Sequence, residues 1–159
     1  MSQTRNPHSA EEMKRFLKEA IAEAMQGLQE GGIPIGSVLV RNGEIIGRGH
    51  NRRVQNNNPT AHAEIECLKN AGRIGDYSNT VLYSTLMPCA MCAGATVQFC
   101  IPIIVAGENR TFKSAGDWME SMGTQVIDMD SDECFRMLQA FAEAQPDVWN
   151  EDIGISKAK

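Results

Sequence analysis

Two short stretches carry the residue types best suited to hold a metal: His62-Ala63-Glu64 and, about two dozen residues on, Pro88-Cys89-Ala90-Met91-Cys92. One imidazole and two thiolates fill three corners of a zinc tetrahedron and leave the fourth to water, as in catalytic zinc sites. Side chains two apart on a helix point about 200° apart. His62 and Glu64 therefore serve one site only if His62 stands in the first helical turn, its ring projecting past the helix end. Thr60, after Pro59, is the expected N-cap of that helix. Cys89 and Cys92 are three apart and share a face. Pro88 as the first helical residue sets both thiolates beside free N–H groups and the positive end of a helix dipole. Two thiolates cancel the formal charge of Zn²⁺ and weaken it as an acid, so the site needs a base, and Glu64 is the residue placed for it. The competing reading is a structural zinc site completed by Cys67, Cys100 or Cys134, or no metal at all. Those three cysteines stand isolated in apolar segments, where ordinary buried cysteines belong.

The elements that must position these residues follow from periodicity. Ser9-Ala10-Glu11-Glu12 reads as a capping box. From Met13 through Phe16, Leu17, Ala20, Ile21, Ala24, Met25 and Leu28 apolar residues recur at three and four, marking one face of a long helix that Gly31-Gly32 ends. Residues 33–41 and 44–49 around Asn42-Gly43 predict a hairpin. Its second strand runs into Gly49-His50-Asn51 and a polar loop that includes Asn56 to Asn58 and reads as solvated. Asn51 carries a donor and an acceptor suited to the edge of a heterocycle, in a loop just before the metal helix; its alternative role is to turn the chain. His50 reads as a neighbour without chemistry. Helices are expected over 61–71, from Pro88 to about Gln98, in a short piece after Phe112-Lys113-Ser114, and after Ser131 with Cys134, Met137, Leu138 and Phe141 inward. Strands are expected over 80–85, 102–106 and 125–128.

That order predicts a single α/β domain over 1–159: a three-layer α-β-α sandwich on a mixed sheet of about five strands. The N-termini of the metal helices would converge at one sheet edge, where open α/β sheets bind ligands. Residues 1–8 are expected to be flexible. Residues 146–155 are aromatic and acidic, unlike an ordinary tail. If helical, they set Trp149 and Asp152 on one face, either as a lid over a flat ring or as a segment docked on the body or on a partner chain.

Fifteen Lys and Arg against twenty Asp and Glu give a net charge of −5, which argues against gripping nucleic acid by its phosphates. No apolar run approaches the roughly 20 residues of a membrane span. The odd number of cysteines, two of them wanted as thiolates, and a start without an apolar signal core point to a reducing, cytoplasmic setting.

Beyond the metal motifs, the chain resembles the cytidine-deaminase-like superfamily and, over nearly its whole length, the fungal-type cytosine deaminases. The resemblance is carried by Glu30-Gly-Gly-Ile-Pro-Ile-Gly36, Gly47-Arg-Gly-His-Asn51, His62-Ala-Glu64, Leu86-Met-Pro-Cys-Ala-Met-Cys92, Gly107-Glu-Asn109 with Phe112-Lys-Ser114, and Trp149-Asn-Glu-Asp-Ile-Gly154. It implies one zinc per chain on His62, Cys89 and Cys92, with Glu64 catalytic and touching substrate. It implies a base held by Asn51 and the backbone of Ala63, sandwiched by Phe112 and Trp149, with Asp152 on the leaving amine. It implies a homodimer, and Ile33 and Met87 are candidate pocket lining. The chain departs from that pattern at Ala63, Met87 and Ala90, where glycine, a small polar residue and aspartate are usual. The stretch from Cys89 to Ala95 is equally similar to tRNA adenosine deaminases. The expected activity is hydrolytic deamination of a small free ring, cytosine first. Its rivals are isocytosine, creatinine, guanine or a triazine as substrate, then a tRNA adenosine deaminase, then a non-catalytic zinc module.

Overall fold

The computed structural model describes residues 6–155. Along the chain run α1 (Ala10–Gln29), β1 (Gly36–Arg41), β2 (Glu44–His50), α2 (Ala63–Ala71), β3 (Thr80–Leu86) and α3 (Ala90–Gln98). Then come β4 (Ile103–Glu108), α4 (Gly116–Ser121), β5 (Gln125–Asp128), α5 (Asp132–Ala144) and α6 (Pro146–Asp152). Ser9 Oγ accepts the Glu12 N–H at 3.2 Å while Glu12 Oε2 accepts the Ser9 N–H at 2.8 Å, so the capping box starts α1. Asn42 and Gly43 take φ of 51° and 76°, the left-handed pair of a tight hairpin turn between β1 and β2.

The sheet order is β2-β1-β3-β4-β5, with β1 antiparallel to β2 and β3 and the remaining pairs parallel. Strand alternation sends apolar side chains to two layers. Val38, Val40, Val81, Tyr83, Ile103 and Val105 pack with Phe16, Leu17, Ala20 and Ile21 of α1 and Cys134 of α5. On the other face Leu39, Leu82, Ile104 and Ala106 meet Cys67 and Leu68 of α2, Ala93 of α3 and Met119 of α4. This is the expected three-layer sandwich.

Two glycines set how closely α2 sits on the sheet. A Cβ at Gly49 would stand 2.6 Å from Cys67 N, and one at Gly47 would stand 2.6 Å from Ala71 Cβ. The register pairs Gly36 with His50 and Leu86 with Glu108. The start of β1 and the ends of β2, β3 and β4 therefore share one edge of the sheet, to which the α2 and α3 N-termini also come.

The structure departs from the sequence-based expectations in places. Cys67 and Cys134 are buried, but Cys100 is exposed, since it takes a left-handed φ of 56° in the turn that leaves α3. Of the start expected to be flexible, residues 1–5 lie outside the described residues. His8 sets its Nδ1 2.5 Å from the Tyr83 hydroxyl and stacks on that ring at 5.8 Å. Among the described residues no helix is long and apolar enough to cross a membrane.

Candidate active site

His62 and Cys89 both occupy helix N-caps with extended backbone, φ/ψ −74°/159° and −68°/175°, and neither side chain caps its own helix. Both helix starts shift by two residues from those expected, because other bonds take the expected residues. Thr60 spends its hydroxyl and its N–H on Asn58 Oδ1, both at 3.0 Å. Pro88 stays outside α3 because its carbonyl accepts Ser114 Oγ at 2.6 Å and the Ala115 N–H at 3.3 Å. An N-cap side chain freed from capping projects off the helix end, so two helix heads aim an imidazole and a thiolate at one point. Cys92, in the first turn of α3, supplies the third donor.

His62 Nδ1 lies 3.5 Å from Cys89 Sγ and 3.8 Å from Cys92 Sγ, and the three ligand atoms fall within 4.8 Å of one another. Tetrahedral zinc with ordinary Zn–N and Zn–S bonds sets such donors about 3.5 to 3.8 Å apart, so the residues fit the ion. The other imidazole nitrogen, Nε2, faces Asp152 Oδ1 at 3.1 Å. A carboxylate on that nitrogen fixes the tautomer that leaves Nδ1 free for metal.

The electrostatics of the metal-free site agree. Burial opposes charge on His62, but hydrogen bonds to Asp152 and Cys89 outweigh it and hold the imidazole up to about 10. The hydrogen bond from Cys92, then that from His62, pulls Cys89 down to about 4 against burial. Cys92 is raised well above the usual thiol range by its bond to Cys89 and by burial. One thiolate, one thiol and one imidazolium thus share the place of the metal.

Glu64, in the first turn of α2, is 4 % exposed. Burial raises its carboxyl above the usual range, opposed by hydrogen bonds from Cys92 and Ser84. Ser84 Oγ, on β3, donates to Glu64 Oε1. Asn51 is fully buried at the end of β2. Its N–H donates to Ile35 O at 2.9 Å, its Oδ1 accepts the Arg53 N–H at 3.0 Å, and its Nδ2 donates to Asp152 Oδ1 at 3.4 Å. Its amide is thereby oriented with the NH₂ toward the metal centre. Behind it His50, given no role from the sequence, is clamped by Glu23 of α1 and Glu30, its C-cap, each 2.8 Å from a ring nitrogen.

Asn51, His62, Ala63, Glu64, Cys89 and Asp152 line one cavity with Ile35, Leu86, Met87, Phe112 and Ile153. Its volume is about 20 Å³, room for a water and not for a heterocycle. Trp149 and Ile33 do not border it. They pack in the apolar cluster of Ile35, Ala63, Leu86, Leu138 and Phe141, against which Phe112 and Ile153 rest. Ile35, Leu86, Ile153, Ser84 and the Asp152 contact to His62 escaped the sequence reading. Glu108 did too: fully buried, it accepts the Arg110 N–H at 2.6 Å, the Thr111 N–H at 3.0 Å and Thr111 Oγ1 at 2.5 Å, and so shapes the loop that carries Phe112.

An open α/β sheet whose edge joins a three-ligand zinc site to a buried carboxylate defines a catalytic zinc centre with a base beside it. Residues 10–108 match the family described as the cytidine and deoxycytidylate deaminase zinc-binding region. The chain belongs to that family and is a zinc-dependent hydrolytic deaminase. A cytosine deaminase of Candida albicans is 36% identical over 89% of this chain and 96% of its own. A tRNA-specific adenosine deaminase of Streptococcus pyogenes is 42% identical over 69% of this chain and 71% of its own. A protein solved in complex with 2,6-diaminopurine shares the fold, with a TM-score of 0.73 at 19% identity, covering 89% of this chain and 87% of that one.

Proposed function

We propose that this deaminase converts free cytosine to uracil and ammonia. The observation that carries the reading is the place of the C-terminal helix: α6 brings Asp152 to 3.1 Å from the zinc-side histidine and 3.4 Å from Asn51, and Ile153 helps close the cavity. A carboxylate there accepts hydrogen bonds from an exocyclic amine. A wall there suits a ring without a sugar. The relative that matches across 89% of the chain is a cytosine deaminase.

His62, Cys89 and Cys92 hold the zinc, which when bound supplies a water acidic enough to be a nucleophile near neutral pH. Asn51 Nδ2 and the Ala63 N–H, free at the helix start, orient the ring carbonyl. Glu64 accepts the proton of the attacking water and passes it to the ring nitrogen beside the amine-bearing carbon. The new C–O bond becomes the uracil carbonyl as the C–N bond breaks. Glu64 takes the remaining proton of the added hydroxyl and gives it to the amine, which leaves as ammonia. Phe112 packs on one side of the ring, and Trp149 supports the wall that meets its other side.

We also assign a homodimer and a cytoplasmic setting. Phe99, Trp118 and Met122 are 46%, 45% and 55% exposed on the α3–α4 side, a surface a second copy would cover, and all five cysteines are free. The zinc-loaded protein is expected to release ammonia from cytosine, and Glu64→Gln to retain zinc and lose that release. Ammonia from isocytosine, creatinine, guanine or a triazine but not from cytosine would move the substrate and point to Met87 and Ala90.

A further inference from the structure

A cavity of about 20 Å³ must open before a ring can enter it. Its outer wall includes the end of α6, a helix of 7 residues packed on α5. The free end of α6 is tied across the cavity by His62 and Asn51, which reach Asp152, and by Arg53, which alone of the three also reaches Glu151. The Arg53 side chain is 15% exposed; its Nη1 lies 2.9 Å from Glu151 Oε1 and its Nε 3.6 Å from Asp152 Oδ1. Arg53 leaves the same turn as Asn51, whose Oδ1 accepts the Arg53 N–H at 3.0 Å. The Arg53 Nε is buried without a hydrogen bond, while Asp152 Oδ1 is shared with His62 and Asn51. A buried donor without a partner is costly, and here it lies 3.6 Å from the carboxylate given to the substrate amine.

We infer that Arg53 is a positioning residue that latches α6: it holds Asp152 over the pocket, and its pair with Glu151 is the contact that parts when a ring enters or product leaves. The inference deepens the proposed function and rests on α6 closing over the substrate. A planar guanidinium bridges carboxylates on two successive residues, which a lysine ammonium cannot do with the same geometry. Because one turn carries both Asn51 and Arg53, the donor to the ring and the anchor of the acceptor move together.

The test combines amide hydrogen exchange of the ligand-free, zinc-loaded protein with steady-state kinetics on cytosine, for Arg53→Gln, Arg53→Lys and Glu151→Gln. In Arg53→Gln the α6 amides are expected to exchange about two- to fivefold faster, the scale of an ion pair whose Glu151 partner is 69% exposed. KM should rise by a similar factor while kcat moves less than about twofold, with zinc content unchanged. Arg53→Lys should fall between, and Glu151→Gln should speed α6 exchange with a smaller rise in KM. Wild-type exchange of α6 in Arg53→Gln would overturn the inference. Faster exchange spreading to α2 and β3 with loss of zinc would overturn it too, by making Arg53 a residue of the fold. The exchange measurement needs no turnover: if wild type left cytosine untouched, the substrate assignment would fail and α6 protection would still decide the latch.

Discussion

At the metal site, His62 and Glu64 are each fixed by a neighbour outside the ligand set. His62 gives Nδ1 to the metal position because Nε2 faces Asp152, and Glu64 keeps one oxygen on Ser84. Replacing Glu64 by Gln should leave zinc bound and lower kcat by about 10²- to 10⁴-fold, the range of a general acid–base; near-normal turnover would remove it from the chemistry. Ser84→Ala should lower kcat by about tenfold through a freer carboxylate, with zinc retained and Ser84→Thr restoring part of the rate. The metal-free site holds a proton on His62, raised to about 10, and one on Cys92, with Cys89 already ionised at about 4. Zinc takes the deprotonated forms, so binding near pH 7.5 should release about two protons, and affinity should rise with pH toward 10 and fall as pH drops. Calorimetric zinc titrations in buffers of different ionisation heat read that number directly, and a value of zero would contradict the ligand states. Donor type and spacing made His62, Glu64, Cys89 and Cys92 legible in the sequence. Ser84 was not, because a serine inside a β-rich run carries no periodic mark of the carboxylate it meets across layers.

At the scale of elements, the site depends on how flat α2 lies against β2. Any Cβ at Gly49 would meet Cys67 N at 2.6 Å, so Gly49→Ala should lift α2. A cost of about 1 to 3 kcal/mol is expected for overpacking without room to relax. Because the same helix carries His62 at its head, the variant should also bind zinc more weakly; chemical denaturation and zinc competition check both, and a neutral result would mean that the helix shifts freely. Most elements were readable from caps, hairpin and periodicity, since Ser9, Asn42-Gly43 and Ser131 act through local geometry. The starts of α2 and α3 were misplaced because competing bonds decided them: Asn58, two residues upstream, takes Thr60, and Ser114 with Ala115, from across the fold, takes the Pro88 carbonyl. His50 likewise has no local signal, since its carboxylate partners come from α1 and its C-cap, 20 and more residues away.

Across the whole molecule, the antiparallel β1 inserted beside parallel strands brings the start of one strand and the ends of three to a common edge. There a hairpin, two helix heads and the last helix contribute to one small cavity. That small site and a net charge of −5 describe a protein that takes in a small uncharged ring and lets it go. The most direct test is the ratio of kcat/KM for free cytosine to that for a tRNA anticodon stem-loop, measured on one zinc-loaded preparation. Cytosine should be favoured by more than about a thousandfold, with little response to salt, because no phosphate is gripped. Deamination of the stem-loop with a steep loss of rate on adding salt, and no reaction with cytosine, would contradict the small pocket and the place given to Asp152.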